Sequence, residues 1–344
     1  MRVKAVDIAR KLEISKATVS LALNDKPGVS PETREAVLQC KETLEKQFDL
    51  AMNAPADKPA EPAEHSRLLK VVMVDRGQGI LCDPELNIWT SVLRIFDREA
   101  IHAGYSLGIT YVTPDKEDIE RVVNECASPS VAGVILYATE MSEEDFGGLR
   151  AIQKPMISYD YDFGNQCFSI VIDNEAAAQK AVEFLASKGC KKITYLAQEI
   201  DIYNFERRRV GFFGGLQKEG LDLASCPIVR AGTTVASVEA FMRRWVVEHT
   251  LPDAFLMENY QISIGVMNAL RARNISVPQQ VSLLGIDEIP AYAAGDYPLT
   301  CVRIEHEARA QMIMTIFLQE LNGASKTKFK LSSRSELVMG GSTR

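Results

Sequence analysis

The chain has 344 residues, 46% apolar and 25% charged, ordinary values for a globular protein and ample for more than one hydrophobic core. Its formal net charge of −7 excludes a general polyanion binder, but the charge is uneven: residues 1–26 hold six Lys/Arg against three Asp/Glu, which leaves −10 on the remainder. The seven cysteines (40, 82, 126, 167, 190, 226, 301) are scattered and form no CxxC pair, and none of the four histidines lies at metal-ligand spacing from another, so we expect reduced thiols, no disulfide framework, no metal and no cofactor.

Residues 4–29 predict two short amphipathic helices. Val6, Ile8, Ala9 and Leu12 share a face of the first, and Val19, Leu21, Ala22 and Leu23 share a face of the second. Ser15 is placed to cap the second helix, and Glu13-Ile14 makes the tight turn between them. This is the geometry of a helix-turn-helix, in which the second helix enters the major groove of DNA. Ser30 is placed to cap a third helix that starts at Pro31 and runs to about Gln47. Residues 51–66, AMNAPADKPAEPAEHS, are dense in Ala and Pro without periodicity and read as an extended, flexible linker.

From Leu68 onward, apolar strand-length runs alternate with amphipathic helices. The pairs are Leu69–Val74 with Ile88–Ala103, Ser106–Tyr111 with Glu117–Cys126, and Gly133–Tyr137 with Glu143–Ile152. Pro155–Tyr159 and Asn174–Lys188 follow, then Lys192–Leu196, Arg207–Glu219, Val235–His249, Ala254–Met257, Ser263–Arg273 and Val281–Gly285. A helix over Glu305–Leu321 and a strand near Glu336–Met339 close the series. Such alternation predicts an α/β fold of parallel sheets covered by helices on both faces, and its length favours two doubly wound lobes over one. Ligands of such sheets sit beyond the carboxyl ends of the strands, here between the lobes. No apolar run precedes the first helix and none later exceeds strand length, so neither a signal peptide nor a membrane span is expected, and the expected location is the cytoplasm.

The pattern AxxLxxSxxTVSxxLN, here Ala9, Leu12, Ser15, Thr18, Val19, Ser20, Leu23 and Asn24, followed by Pro27-Gly28-Val29-Ser30-Pro31-Glu32-Thr33-Arg34, resembles the headpiece of the lactose-repressor (LacI/GalR) family. Val281–Asp287, Leu299–Val302 and Glu336–Thr343 resemble phrases of the periplasmic-binding-protein-like sensor of the same family, so the resemblance spans nearly the whole chain apart from the linker. It implies a headpiece over 1–47, a linker over 48–67, and an effector-binding and dimerisation domain over 68–344. The DNA-binding positions it implies are Lys4, Ser15, Lys16, Ala17, Thr18, Ser20, Leu21 and Asn24. Lys16, Ala17 and Leu21 stand where family members meet base edges, while Thr18 and Ser20 either touch phosphate or cap the helix. Leu21 departs from a frequent arginine, and a direct guanine contact is lost with it. Lys4 stands where a hydroxyl cap is usual, and Glu13 where Gly is common. The linker also lacks the family's Tyr-x-Pro-Asn step and its Ala/Leu/Arg-rich hinge helix; Pro55, Pro59 and Pro62 oppose a continuous helix.

In the sensor, the resemblance points to Trp89, Asp160, Tyr161, Arg208, Asn259 and Asp287 as effector contacts. Arg208 offers a planar fork for paired hydroxyls or a carboxylate, against the alternative of a solvated charge at a helix start. Asp287 can accept two sugar hydroxyls or cap the following helix, and the roles can coexist. Asn259 matches the Asn of a common Asn-Asp pair with Tyr260 in place of the Asp; Asp160-Tyr161 matches an Asp-Arg pair with Tyr in place of the Arg. Asp173 opens an Asp-Asn step that capping explains equally well. Trp89 either stacks on a sugar face or is buried under the first helix of its lobe.

Enzyme chemistry finds no support in the motifs. Gly77-Gln78-Gly79-Ile80-Leu81-Cys82 approaches a dinucleotide fingerprint but has Cys at the third Gly position, and the chain has no GxxxxGK[ST] and no Gly-x-Ser-x-Gly elbow. The expected protein is a homodimeric transcriptional regulator, a repressor, that binds operator DNA and a small-molecule effector, a sugar or sugar derivative. The alternatives are a sensor that answers to a protein partner and a small-molecule-binding protein without catalysis.

Overall fold

The computed structural model describes residues 9, 12, 14–24, 26–31, 33–41, 67–77, 88–290, 293–295, 297–323 and 327–344, with the side chains of 16, 17, 88 and 89 excepted. The expectations placed on Lys4, Glu13, the 48–66 linker and Gln78–Cys82, and those on the side chains of Lys16, Ala17 and Trp89, lie outside this set. Contacts divide the chain into two units, Met1–His65 and Ser66–Arg344.

In the first unit, helix α1 (Lys16–Leu23) starts where Ser15 Oγ accepts the Thr18 N–H at 3.1 Å, as the sequence predicts. Ser30 does the same for Thr33 at the start of α2 (residues 33–41 in the described part). Val19 and Val37 are fully buried and pack with Ala9, Ala22 and Cys40, while Leu12 and Leu23 cover the edge of this small core. A hydroxyl cap at each helix start is worth about 1 kcal/mol, a large share of what so small a core can supply.

The second unit begins with β1 (Leu68–Val74), α3 (Ile88–His102), β2 (Ser106–Val112), α4 (Lys116–Cys126), β3 (Val131–Tyr137), α5 (Glu143–Leu149), β4 (Met156–Tyr159) and β5 (Phe168–Ile172). It continues with α6 (Asn174–Ser187), β6 (Ile193–Gln198), α7 (Tyr203–Lys218), β7 (Ile228–Gly232), α8 (Val235–Glu248), β8 (Ala254–Met257) and α9 (Tyr260–Ala272). The last elements are β9 (Ser282–Ile286), β10 (Thr300–Arg303), α10 (His306–Leu321), β11 (Lys330–Ser333) and β12 (Glu336–Val338). They form two six-stranded sheets, ordered β11-β5-β4-β3-β1-β2 and β12-β10-β9-β8-β6-β7. All recorded pairings are parallel except β10 with β12.

Central strands such as LLKVVMV and VAGVILY are apolar without alternation because both of their faces are covered. In the first lobe α3 and α10 cover one face of the sheet, α4 and α5 the other. In the second lobe α6 and α7 cover one face, α8 and α9 the other. The α6–α7 approach depends on Gly211, where a Cβ would lie 2.2 Å from the Glu175 carbonyl oxygen. The chain crosses between lobes three times: from β5 to α6, from β10 to α10, and from β11 to β12.

The observed elements correct the sequence reading in places. Helix α7 starts at Tyr203, not Arg207, because its N-cap residue, Ile202, offers no side-chain signal. Helix α9 starts at Tyr260, not Ser263, with Asn259 as its cap. Helix α5 stops at Leu149, not Ile152, just past the helix-weakening pair Gly147-Gly148. Arg208 is not a solvated helix-start charge: it lies in the second turn of α7 and is 2% exposed. Strands β5, β7, β10 and β11 are additions to the predicted series.

Among the described residues, no helix is long and apolar enough to cross a membrane, and no group of His, Cys, Asp and Glu is arranged to hold a metal ion. Cys40, Cys126, Cys167, Cys190, Cys226 and Cys301 are buried free thiols.

Candidate functional site

Two sites follow from the two units. In the first unit, the cap geometry uses part of what the sequence offered to DNA. Thr18 Oγ1 lies 2.8 Å from Ser15 Oγ, so both hydroxyls serve the start of α1. Asn24 Nδ2 donates to the Ser20 carbonyl at 2.8 Å and closes the other end of the helix. Ser20 is exposed and Leu21 half-buried, the latter lying against Gly28, whose φ of +109° suits a residue without a Cβ. Arg34, part of the family pattern but given no role from the sequence, donates from Nη2 to the Lys26 carbonyl at 2.8 Å and ties α2 to the segment after α1.

In the second unit, the carboxyl ends of the two sheets face each other. Tyr161, just past β4, lies against Tyr203 at the start of α7, with ring centroids 4.8 Å apart. His306, the first residue of α10 in the first lobe, places Nε2 3.1 Å from Asp287 Oδ1 in the second. A cavity of about 400 Å³ opens beside this contact and is lined by Ser91, Asp287, Glu288, Ile304 and His306 among others. A larger cavity of about 680 Å³, reached by Arg76 and Asp145, lies between α4 and α5 and touches none of the predicted effector residues.

The second lobe's side is a buried polar chain. Arg208 Nε donates to Asn174 Oδ1 at 2.9 Å, and its Nη1 donates to the Glu258 carbonyl at 2.6 Å and to Asp287 Oδ2 at 3.2 Å. Asn174 Nδ2 donates in turn to Asn204 Oδ1 at 2.8 Å. Burial alone would push the Asp287 carboxyl upward. The Arg208 charge and the His306 hydrogen bond outweigh it and bring Asp287 down to about 2, so the group is an anion at neutral pH. Below this layer Arg209 grips Glu258 with Nε and Nη2, at 2.8 and 3.1 Å, while Glu258 also accepts from Tyr195 Oη and the Gln198 N–H.

The first lobe repeats the device. Asp160 accepts from Arg309 Nη2 at 2.5 Å and from Thr139 Oγ1 at 2.6 Å, and Arg309 also lies over the Tyr159 ring, 4.4 Å from its centroid. Asp160 and Asp287 each sit just past a strand in the left-handed region, with φ of 79° and 78°. Aspartate tolerates that region better than most residues, and such outliers collect at functional sites.

The structure therefore brings Arg208 and Asp287 into direct contact, and sets Asp160 and Tyr161 on the facing lobe. Asn259 is occupied as a helix cap, accepting the Ile262 N–H at 3.0 Å, and Asp173 likewise caps α6. The sequence reading missed Asn174, Asn204, Glu258, His306 and Arg309. Asn174 stood next to the Asp173 that was noticed; Glu258, a carboxylate closing the apolar strand AFLM, was a readable signal.

Known proteins align with both units. The model for bacterial regulatory proteins of the lacI family matches residues 6–45, and a periplasmic binding protein-like domain matches residues 182–343. The transcriptional regulator GalS of Salmonella typhimurium is 27% identical over 324 residues, 92% of this chain and 89% of GalS. The transcriptional repressor PurR of Pasteurella multocida is 22% identical over 340 residues, 98% of each chain. Among solved structures, a lac repressor dimer bound to operator and an anti-inducer superposes with a TM-score of 0.68 at 19% identity, covering 100% of this chain and 99% of that one. A complex of the regulator CelR with cellobiose gives 0.68 at 19% identity, covering 99% and 100%. At these identities the superpositions establish the fold.

Proposed function

Because the chain belongs to the lacI family of bacterial regulatory proteins, a family of transcriptional regulators and not of enzymes, we propose that it represses transcription from an operator under the control of a small effector. In this reading residues 1–47 bind DNA, residues 48–67 form the linker, and residues 68–344 bind the effector and pair two copies in the cytoplasm. Lys16, Ala17, Ser20 and Leu21 would face the duplex, with Ser15, Thr18 and Asn24 holding the helix that presents them and Lys4 adding charge. A homodimer follows from the reader itself, since one short headpiece makes few contacts and such motifs read paired half-sites.

The observation that carries the effector reading is the Arg208–Asp287 pair, set at the carboxyl ends of the second sheet and linked through His306 to the first lobe. A guanidinium and a carboxylate side by side can donate to and accept from neighbouring hydroxyls of one sugar. Asp160, Tyr161 and Trp89 would approach it from the other lobe, with Asn259 at the rim. Solved structures of neighbours with bound sugars support this, glucose in a LacI family regulator from Weissella paramesenteroides and ribose in one from Enterococcus faecium.

The test is genome-wide mapping of bound sites, followed by titration of the full chain against duplexes taken from them, with and without sugars of the adjacent pathways. Enriched sites whose affinity changes with one sugar support the proposal. Absence of enriched sites overturns the DNA-binding part, and sites indifferent to every sugar overturn the effector part.

A further inference from the structure

Among the described residues, the arginines at the carboxyl ends of the two sheets are already matched by carboxylates. Arg76 pairs with Asp145 at 2.5 Å and Arg309 with Asp160 at 2.5 Å in the first lobe. Arg208 pairs with Asp287 at 3.2 Å and Arg209 with Glu258 at 2.8 Å in the second. The side chains of Arg208 and Arg309 are only 3% and 1% exposed, so neither can swing out to meet another anion. Around the cavity beside Asp287 the balance is negative. Glu288, Glu305 and Glu307 join its lining, and Arg303 is shared between Glu288 and Glu305. No lysine or arginine lines that cavity among the described residues.

A phosphate or carboxylate carried into this site would shed its hydration without gaining a counter-charge, because every guanidinium within reach is already neutralised. Hydroxyl groups face no such cost. Asp287 accepts one bond on each oxygen, from Arg208 and from His306, and an ionised carboxylate has about four acceptor sites, which leaves room for two hydroxyls. We infer that the cleft selects an electroneutral polyhydroxyl ligand and rejects its phosphorylated or carboxylated counterpart. This rests on the effector-binding reading given above and narrows it to one charge class.

The experiment is calorimetry on the full chain with matched probes: glucose and galactose against glucose 6-phosphate, galactose 6-phosphate and glucuronate, and ribose against ribose 5-phosphate. The expected result is that at least one neutral sugar binds, that its charged partner binds about tenfold weaker or worse, and that the neutral Kd is unchanged between low and high salt. Asp287→Asn uncovers the Arg208 charge and should shrink the neutral-to-charged ratio by about tenfold, with far-UV circular dichroism confirming that the variant is folded. A charged partner that binds as tightly as the neutral sugar, or a ratio unmoved in folded Asp287→Asn, overturns the inference and leaves the effector reading standing. Silence from every probe, neutral and charged, counts against the effector reading itself and removes the inference with it.

Discussion

Asp160 offers the sharpest stability test, because it holds both a buried charge and an unusual backbone conformation. Arg309 is 2% exposed and Asp160 1%, and they meet at 2.5 Å beneath α10. Asp160→Asn keeps the shape and the tolerance for a φ of 79° but removes the counter-charge from a buried guanidinium. Breaking a buried pair on one side costs about 3–5 kcal/mol. The Tyr159 ring and the Ile170 carbonyl remain for Arg309, which places the expected cost near the lower end, about 3 kcal/mol. Asp160→Ala should cost about 1 kcal/mol more, since a residue without a short polar side chain is poorer in the left-handed region, and the Thr139 hydroxyl loses its acceptor as well. At roughly 2 °C per kcal/mol for a unit of this size, the single variant should lower Tm by about 6 °C in a thermal melt followed by circular dichroism. Arg309→Met added to Asp160→Asn should recover part of that loss, because it removes the unpaired charge. A double variant whose loss equals the sum of the two singles would refute the charge-pairing explanation.

Ser15→Ala should lower the stability of the DNA-binding unit by about 1 kcal/mol, and Ser15→Asp should not, as read by helical circular dichroism of the full chain in a urea titration. Lys16→Ala should weaken binding to duplex DNA and reduce the slope of log K against log salt by roughly one; an unchanged slope shows that Lys16 meets no phosphate. Acid titration should expose Asp287: its carboxyl is held down at about 2, so the stability it gives is complete above the ordinary value of 3.8 and is lost as pH falls from there towards 2. Asp287→Asn should remove that part of the acid dependence, and a profile identical to wild type would show that another group causes it.

The fold was legible wherever burial on both faces forces a continuous apolar run, as in Leu69–Val74 or Ala254–Met257. It was illegible where strands are short or polar. Lys330–Ser333 (KLSS) is an edge strand paired on one side only, and Ile228–Gly232 carries an arginine in its middle, so neither shows a pattern that local reading could separate from loop. The site divided along similar lines. Arg208 and Asp287 were visible because each stands in a recognisable phrase, Asp287 just past the end of a strand. Arg309 was not, since an arginine within HEARAQMIMTIFLQEL reads as an exposed helix residue until Asp160, distant in sequence, is brought beneath it. Local pattern identifies which residues are polar; only the fold decides which of those are buried together.

In the proposed reading, the placement of His306 gives occupancy of the cleft a way to be felt between lobes. Its ring contacts Asp287 in the second lobe, while its backbone carbonyl accepts from Tyr159 Oη, at 3.3 Å, in the first. It opens α10 directly after one of the three chain crossings, where a change of angle between lobes must be absorbed. Ligand hydroxyls then share the Asp287 carboxylate with the imidazole, so binding is coupled to the contact that joins the lobes. The coupling can be no larger than the difference in ligand affinity between the arrangement with that contact and the one without it. Weakening the contact with His306→Ala should therefore shift effector affinity even though the ligand gains no new partner. Isothermal titration of the variant with whichever sugar binds wild type measures that shift. An affinity equal to wild type would mean that the interlobe signal runs elsewhere, the Tyr161–Tyr203 contact being the next place to look.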